Sequence, residues 1–86
     1  MQLKITGTVQ GVFYRASTKQ KAIELSLKGW VKNCKDGSVE AVFQGSEEAI
    51  SAMIDWCWEG PSNAKVEHIH ILEHSHHNSF YNFSIR

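Results

Sequence analysis

The sequence predicts a ferredoxin-like α+β sandwich, an antiparallel sheet with two helices on one face and a short extra C-terminal strand. Three observations carry that expectation. Strand-like runs occupy residues 3–9, both sides of Asp36-Gly37 within residues 30–45, and residues 65–73. Apolar residues at helical spacing follow the first and third of these runs. The resulting order is strand, helix, strand, strand, helix, strand, which is that of two split βαβ units.

The first strand, "LKITGTV", sets Leu3, Ile5 and Gly7 against Lys4, Thr6 and Thr8, the period-two pattern of a half-buried strand. Thr18, Ala22 and Leu25 then recur at intervals of four and three, with Lys19, Lys21 and Glu24 between them, and predict a helix of about three turns. In "WVKNCKDGSVEAVFQG", Asp36-Gly37 is a dipeptide able to take the positive φ of a tight hairpin turn. Ser46 followed by Glu47 and Glu48 reads as an N-cap with acids in the first turn, and Ile50, Met53, Ile54 and Cys57 form the apolar stripe of the second helix. Gly60 and Pro61 stop it. "KVEHIHILE" is the fourth strand and "FYNFSIR" the short fifth.

Composition narrows the function classes. The chain has 86 residues, 42% hydrophobic and 21% charged, an ordinary globular composition that predicts one domain over residues 1–86. Nine Lys and Arg balance nine Asp and Glu, so no electrostatic case arises for nucleic acid or an anionic membrane. No apolar run approaches a membrane span, and "MQLKITG" lacks the features of a secretory signal, so the expectation is a soluble cytoplasmic protein acting as a monomer. Cys34 and Cys57 have neither zinc-ligand nor disulfide-framework spacing and are expected to be reduced packing groups.

The stretch "GTVQGVFYR", residues 7–15, is poor material for packing alone, because two glycines interrupt its apolar run. It lies between the first strand and the first helix. Residues Gln10, Gly11, Val12, Phe13, Tyr14 and Arg15 are therefore expected to form a loop whose N–H groups are free of the sheet and close to a helix N-terminus. Converging amides make an anion-binding nest, Gly11 opens the approach, and the Arg15 guanidinium offers a planar fork that matches two phosphate oxygens. A glycine-containing turn with a surface arginine is the plain structural alternative. Asn33, near the end of the second strand, can donate and accept hydrogen bonds and so can hold a water in a fixed orientation, or can simply serve the turn that follows it.

Taken together, "GTVQGVFYR", "LKGWVKN", "DGSVEAVFQG" and "GPSNAKV" resemble the acylphosphatase family in order and spacing over nearly the whole chain. The resemblance implies a small hydrolase that cleaves the carboxyl-phosphate bond of acyl phosphates to a carboxylate and inorganic phosphate, with no metal and no cofactor. It places the phosphate-binding arginine at Arg15, the phosphate-cradling loop at residues 10–15 and the water-positioning asparagine at Asn33. Inorganic phosphate, as product, is then expected to inhibit competitively. The residue inventory fits: a carboxylate leaving group needs no general acid, and phosphoryl transfer asks mainly for positioning and charge stabilisation.

Against the family pattern, Ser26 stands in "LSLKGW" where glycine is usual, which implies a strained serine if φ is positive there. Trp56 and Trp58 are expected on the side of the second helix away from its apolar stripe, packed against the Gly60-Pro61 loop. His68, His70, His74, His76 and His77 have no carboxylate or cysteine at an established metal-ligand spacing and read as a solvated group. An RNA-recognition module, the alternative from another class, shares the fold, but "KGWVKNCK" leaves that module's signature after its third residue and no basic surface accompanies it.

Overall fold

In the computed structural model, which describes residues 1–72 and 80–86, the chain runs through β1 (Gln2–Thr8), α1 (Tyr14–Glu24), β2 (Lys28–Asn33), β3 (Val39–Gln44), α2 (Glu47–Glu59), β4 (Lys65–Leu72) and β5 (Phe83–Ile85). The strands form one sheet in the order β4-β1-β3-β2-β5. All pairings are antiparallel except that of β2 with β5, which is parallel. The expected architecture is therefore present, with β5 added beside β2 at the sheet edge.

Register explains which residues became core. Leu3 pairs with Ala41 and Ile5 with Val39 and Ile69, while Val31 pairs with Ala41, so these apolar side chains share one face of the sheet. Tyr14 and Ala22 of α1 and Met53 and Cys57 of α2 close over that face, and all of them are buried. Lys4, Glu40, Lys32 and His70 are cross-strand neighbours on the opposite face. Trp30 also alternates onto that opposite face yet is buried, with the Lys32 ammonium 5.3 Å and the Arg86 guanidinium 4.8 Å from its ring.

Gly7, the first of the two glycines in "GTVQGVFYR", serves the sheet. The β1–β4 register shifts between Thr6 and Gly7, where φ is 127°, and a Cβ at position 7 would run into the Lys65 carbonyl. Glycine is needed for backbone approach at a bulge, not for packing.

The β2–β3 connection differs in detail from the expectation. Only Gly37 has positive φ; Asp36 does not. The Gly37 N–H donates to the Cys34 carbonyl at 3.2 Å and the Cys34 N–H to the Ser38 carbonyl at 2.8 Å, so the reversal spans residues 34–38. Asp36 contributes through its side chain, accepting at Oδ1 from the N–H and hydroxyl of Ser38 at 3.0 and 2.5 Å.

Helix α1 ends at Leu25, and Ser26 follows with φ of 60°. The Leu27 N–H reaches the Ala22 carbonyl at 2.8 Å and the Ser26 N–H the Ile23 carbonyl at 3.0 Å, the bond pair of a Schellman ending. A side chain in this left-handed position is strained, and glycine would remove the strain. Ser26→Gly is accordingly expected to raise unfolding free energy by about 1 kcal/mol, read from urea or thermal transitions; an unchanged or lower stability would show that the serine is not strained.

Candidate active site

Strand β1 leaves the sheet at Thr8, and within the next few residues the backbone twice enters the left-handed region, at Gly11 with φ of 76° and Phe13 with φ of 65°. For a bulky aromatic residue such a φ is uncommon, and Phe13 holds it while 79% exposed. No packing need accounts for that conformation. Among the described residues no carbonyl or side chain accepts from the N–H groups of residues 10–16. Nothing lies within 4 Å of a Cβ built on Gly11, so a side chain there would project into the open space that the glycine lines.

Helix α1 begins at Tyr14, which puts Tyr14 and Arg15 in its first turn and not in the loop expected from the sequence. The N-cap residue Phe13 supplies no side-chain hydrogen bond and the first turn contains no acid. Helix α2 shows the usual alternative, with Ser46 Oγ accepting from the Ala49 N–H at 3.1 Å and Glu47 and Glu48 beside it. The positive end of the α1 dipole is thus left for an external anion.

The side chains of this segment face the scaffold in different ways. Tyr14 is buried, and its hydroxyl donates to the Cys57 carbonyl at 2.7 Å. That carbonyl lies in the last turn of α2, where its helical partner would be the N–H of residue 61; position 61 is proline and has none. The Tyr14 hydroxyl takes the missing donor's place and pins the start of α1 to the end of α2. Burial raises the Tyr14 phenol well above its ordinary value and pushes the Cys57 thiol up to about 12. Val12 packs partly against the core. Gln10 points its carboxamide at the β2–β3 connection, donating to the Cys34 and Ser38 carbonyls at 2.8 Å each, so both of its side-chain hydrogens are committed to the scaffold.

Asn33 ends β2 opposite Val39. It alternates in step with the buried Val31, which puts it on the helix-covered face at the sheet end where α1 begins. A cleft of about 310 Å³ opens there, lined by Gly11, Phe13, Arg15 and Asn33 together with Val9 and Ile85. Among the described residues neither the Arg15 guanidinium nor the Asn33 carboxamide has a side-chain hydrogen bond or ion pair. The structure therefore gathers into one cleft a cation and an amide without partners among the described residues, together with Gly11 and Phe13 to Ala16, whose N–H groups are uncommitted; Gln10 and Val12 do not line it. Val9 belongs to the stretch "GTVQGVFYR" but was not singled out for the site; Ile85 carries no motif signal and joins the cleft only because β5 pairs with β2, its Cα in register with Val31.

Cys34 follows Asn33 and its thiol lies 3.8 Å from the Glu40 carboxylate, while Cys57 is buried. Lys4, 2.7 Å from Asp36, and the two bonds from Ser38 hold the Asp36 carboxyl well below the usual carboxylate range, which keeps the 34–38 reversal fastened above acid pH. Trp56 is not turned away from the core as expected: it is half-buried, with its ring 5.8 Å from that of Tyr14. Trp58 is exposed and meets His68 edge-on at 6.1 Å. The His68 and His70 rings are 4.3 Å apart on the edge strand β4, and among the described residues no three potential metal ligands stand together. His74, His76 and His77 lie outside the described residues. No described helix is long and apolar enough to cross a membrane.

The sequence and the fold have counterparts among known proteins. The sequence model of the acylphosphatase family matches residues 1–85. The chain belongs to the acylphosphatase family. It is 46% identical over 81 residues to an acylphosphatase of Syntrophus aciditrophicus, covering 94% of this chain and 84% of the relative. The crystal structure of an acylphosphatase from Bacillus subtilis superposes with a TM-score of 0.94 at 33% identity, covering 99% of this chain and 94% of that one. HypF of T. kodakarensis contains the same fold within a much larger chain: TM-score 0.87 at 31% identity, covering 100% of this chain and 12% of HypF. Family membership makes the chain a hydrolase and agrees with the ferredoxin-like architecture.

Within this acylphosphatase fold, the tie between α1 and α2 can be tested alone. Tyr14→Phe leaves the ring in place and strips the Cys57 carbonyl of its donor, so a loss of about 1–3 kcal/mol in urea unfolding is expected. An unchanged midpoint would mean that the carbonyl finds another partner.

Proposed function

We propose that the chain hydrolyses acyl phosphates, R–CO–O–PO₃²⁻ plus water giving a carboxylate and inorganic phosphate, with the cleft between the 10–16 segment and Asn33 as the active site. The observation that carries this reading is the convergence on one cleft of Arg15, Asn33 and main-chain donors that have no acceptor among the described residues. The phosphoryl oxygens sit against the N–H groups of Gly11 to Ala16 and the Arg15 fork. Because both kinds of donor are fixed before the substrate arrives, they stabilise charge on the transferring phosphoryl group without reorganisation.

Asn33 orients the water. Its carboxamide can hold a water by accepting and donating but cannot take a proton, so the proton passes to an oxygen of the substrate's own phosphate. The oxygen–phosphorus bond to the acyl group breaks, and the electron pair leaves on a carboxylate, too weak a base to need a general acid. The acyl group lies along the apolar wall of Val9, Phe13 and Ile85. Inorganic phosphate, which retains the recognised group, competes with substrate. Every residue named comes from one chain, so a monomer suffices, and no metal or cofactor enters any step.

Hydrolysis of a simple aromatic acyl phosphate by the purified protein tests this reading. Activity is expected to persist in excess EDTA and to vanish with Arg15→Ala, which should also weaken inhibition by phosphate. Asn33→Ala is expected to lower kcat on the order of 10²-fold with phosphate inhibition retained. Circular dichroism confirms that each variant is folded. Activity lost to chelator and restored by a divalent cation would contradict the metal-free step, and an inactive wild type would contradict the whole reading.

A further inference from the structure

From the hydrogen bonds of Gln10 we infer that this residue is a positioning residue, a clamp that fixes the distance between the anion-binding segment and the water-orienting Asn33; the inference rests on the active site proposed above. Gln10 directly precedes Gly11, which lines the cleft, and Asn33 lies on a different element, β2, with 22 residues between Gln10 and Asn33 in sequence. A phosphate held by one and a water held by the other react only if the two elements keep register to a fraction of an ångström.

The Cys34 and Ser38 carbonyls bracket the β2–β3 reversal, Cys34 directly following Asn33 and Ser38 directly preceding its cross-strand partner Val39. Each carbonyl already accepts one main-chain hydrogen bond, from Gly37 at 3.2 Å and from Cys34 at 2.8 Å respectively. Each has one lone pair left. The Gln10 carboxamide has two hydrogens, and Nε2 stands 2.8 Å from both oxygens. A single side chain thus completes both acceptors and ties the loop after β1 to both limbs of the hairpin. Glutamine is suited to such a bridge, since a carboxylate would set a negative charge against two carbonyl oxygens and asparagine is one methylene shorter. The reversal is rigid on its own account, since Asp36 grips Ser38 and pairs with Lys4. What Gln10 adds is the link from that rigid unit to the anion site.

The test is a double-mutant cycle of Gln10→Met and Asn33→Ala, with kcat and the inhibition constant for inorganic phosphate as separate readouts. In the wild-type background, Gln10→Met is expected to lower kcat about tenfold or more while phosphate inhibition changes less than about threefold. In the Asn33→Ala background it is expected to lower kcat less than about twofold, because there is no oriented water left to misplace. A full multiplicative loss in that background, a parallel loss of phosphate affinity, or an undiminished kcat in Gln10→Met alone would each overturn the clamp. If Gln10→Met does not fold, the carboxamide protons of Gln10 in the wild-type protein decide: exchange with solvent much slower than for an exposed glutamine is expected, and exchange at the exposed rate overturns the proposal. That exchange measurement needs no turnover, so a wild type without hydrolase activity overturns the proposed function separately.

Discussion

A run of main-chain N–H groups that find no acceptor among the described residues is the constraint on which this small protein is organised. Backbone donors left unpaired are costly when buried, so those of residues 10–16 must meet water or a ligand, and Gly11 and Phe13 to Ala16 line an open cleft. The left-handed turns at Gly11 and Phe13, the uncapped start of α1 and the lack of acid in its first turn all keep those donors free. Each would be a defect in a helix meant only to pack. Beside an arginine with no ion pair among the described residues, they become a site of fixed positive potential.

Such a site is useful only if it does not move, and three contacts hold it from three directions. Tyr14 fastens the first turn of α1 to the end of α2, at the carbonyl that Pro61 leaves without a helical donor. Gln10 fastens the preceding loop to the β2–β3 reversal. Val12, between them, packs against the core. The same few residues therefore present main-chain groups to the cleft and side chains to the scaffold.

Much of this was legible in the sequence, and the parts that were not share a physical cause. Alternation in Leu3, Ile5 and Gly7 and helical spacing in Met53 and Cys57 foretold strands, helices and their buried faces, because burial acts on every residue of an element. Arg15 and Asn33 were singled out from the sequence, and both line one cleft. The boundary at Tyr14 and the inward side of Trp56 were missed, since each involves a contact distant in sequence, Tyr14 with Cys57 and Trp56 with Tyr14; Asp36, whose conformation was also missed, is held by the nearby Ser38 as well as by the distant Lys4. Gln10 was read only as part of the anion-cradling loop, and the role of its side chain went unseen for the same reason, its partners being 24 and 28 residues away. Ser26 is the reverse case: its departure from glycine pointed to positive φ, and the φ is 60°.

Where phosphate binds is the decisive observable. Titration of the uniformly ¹⁵N-labelled protein with inorganic phosphate, followed by amide chemical shifts, reads that position residue by residue without reference to turnover. The largest shifts are expected at the N–H groups of Gly11 to Ala16 and at the Arg15 guanidinium, saturating together, with the N-terminus of α2 and the His68–His70 edge unmoved. Saturable shifts centred on either of those other regions, or no saturable shifts in residues 10–16, would contradict an anion site at the start of α1.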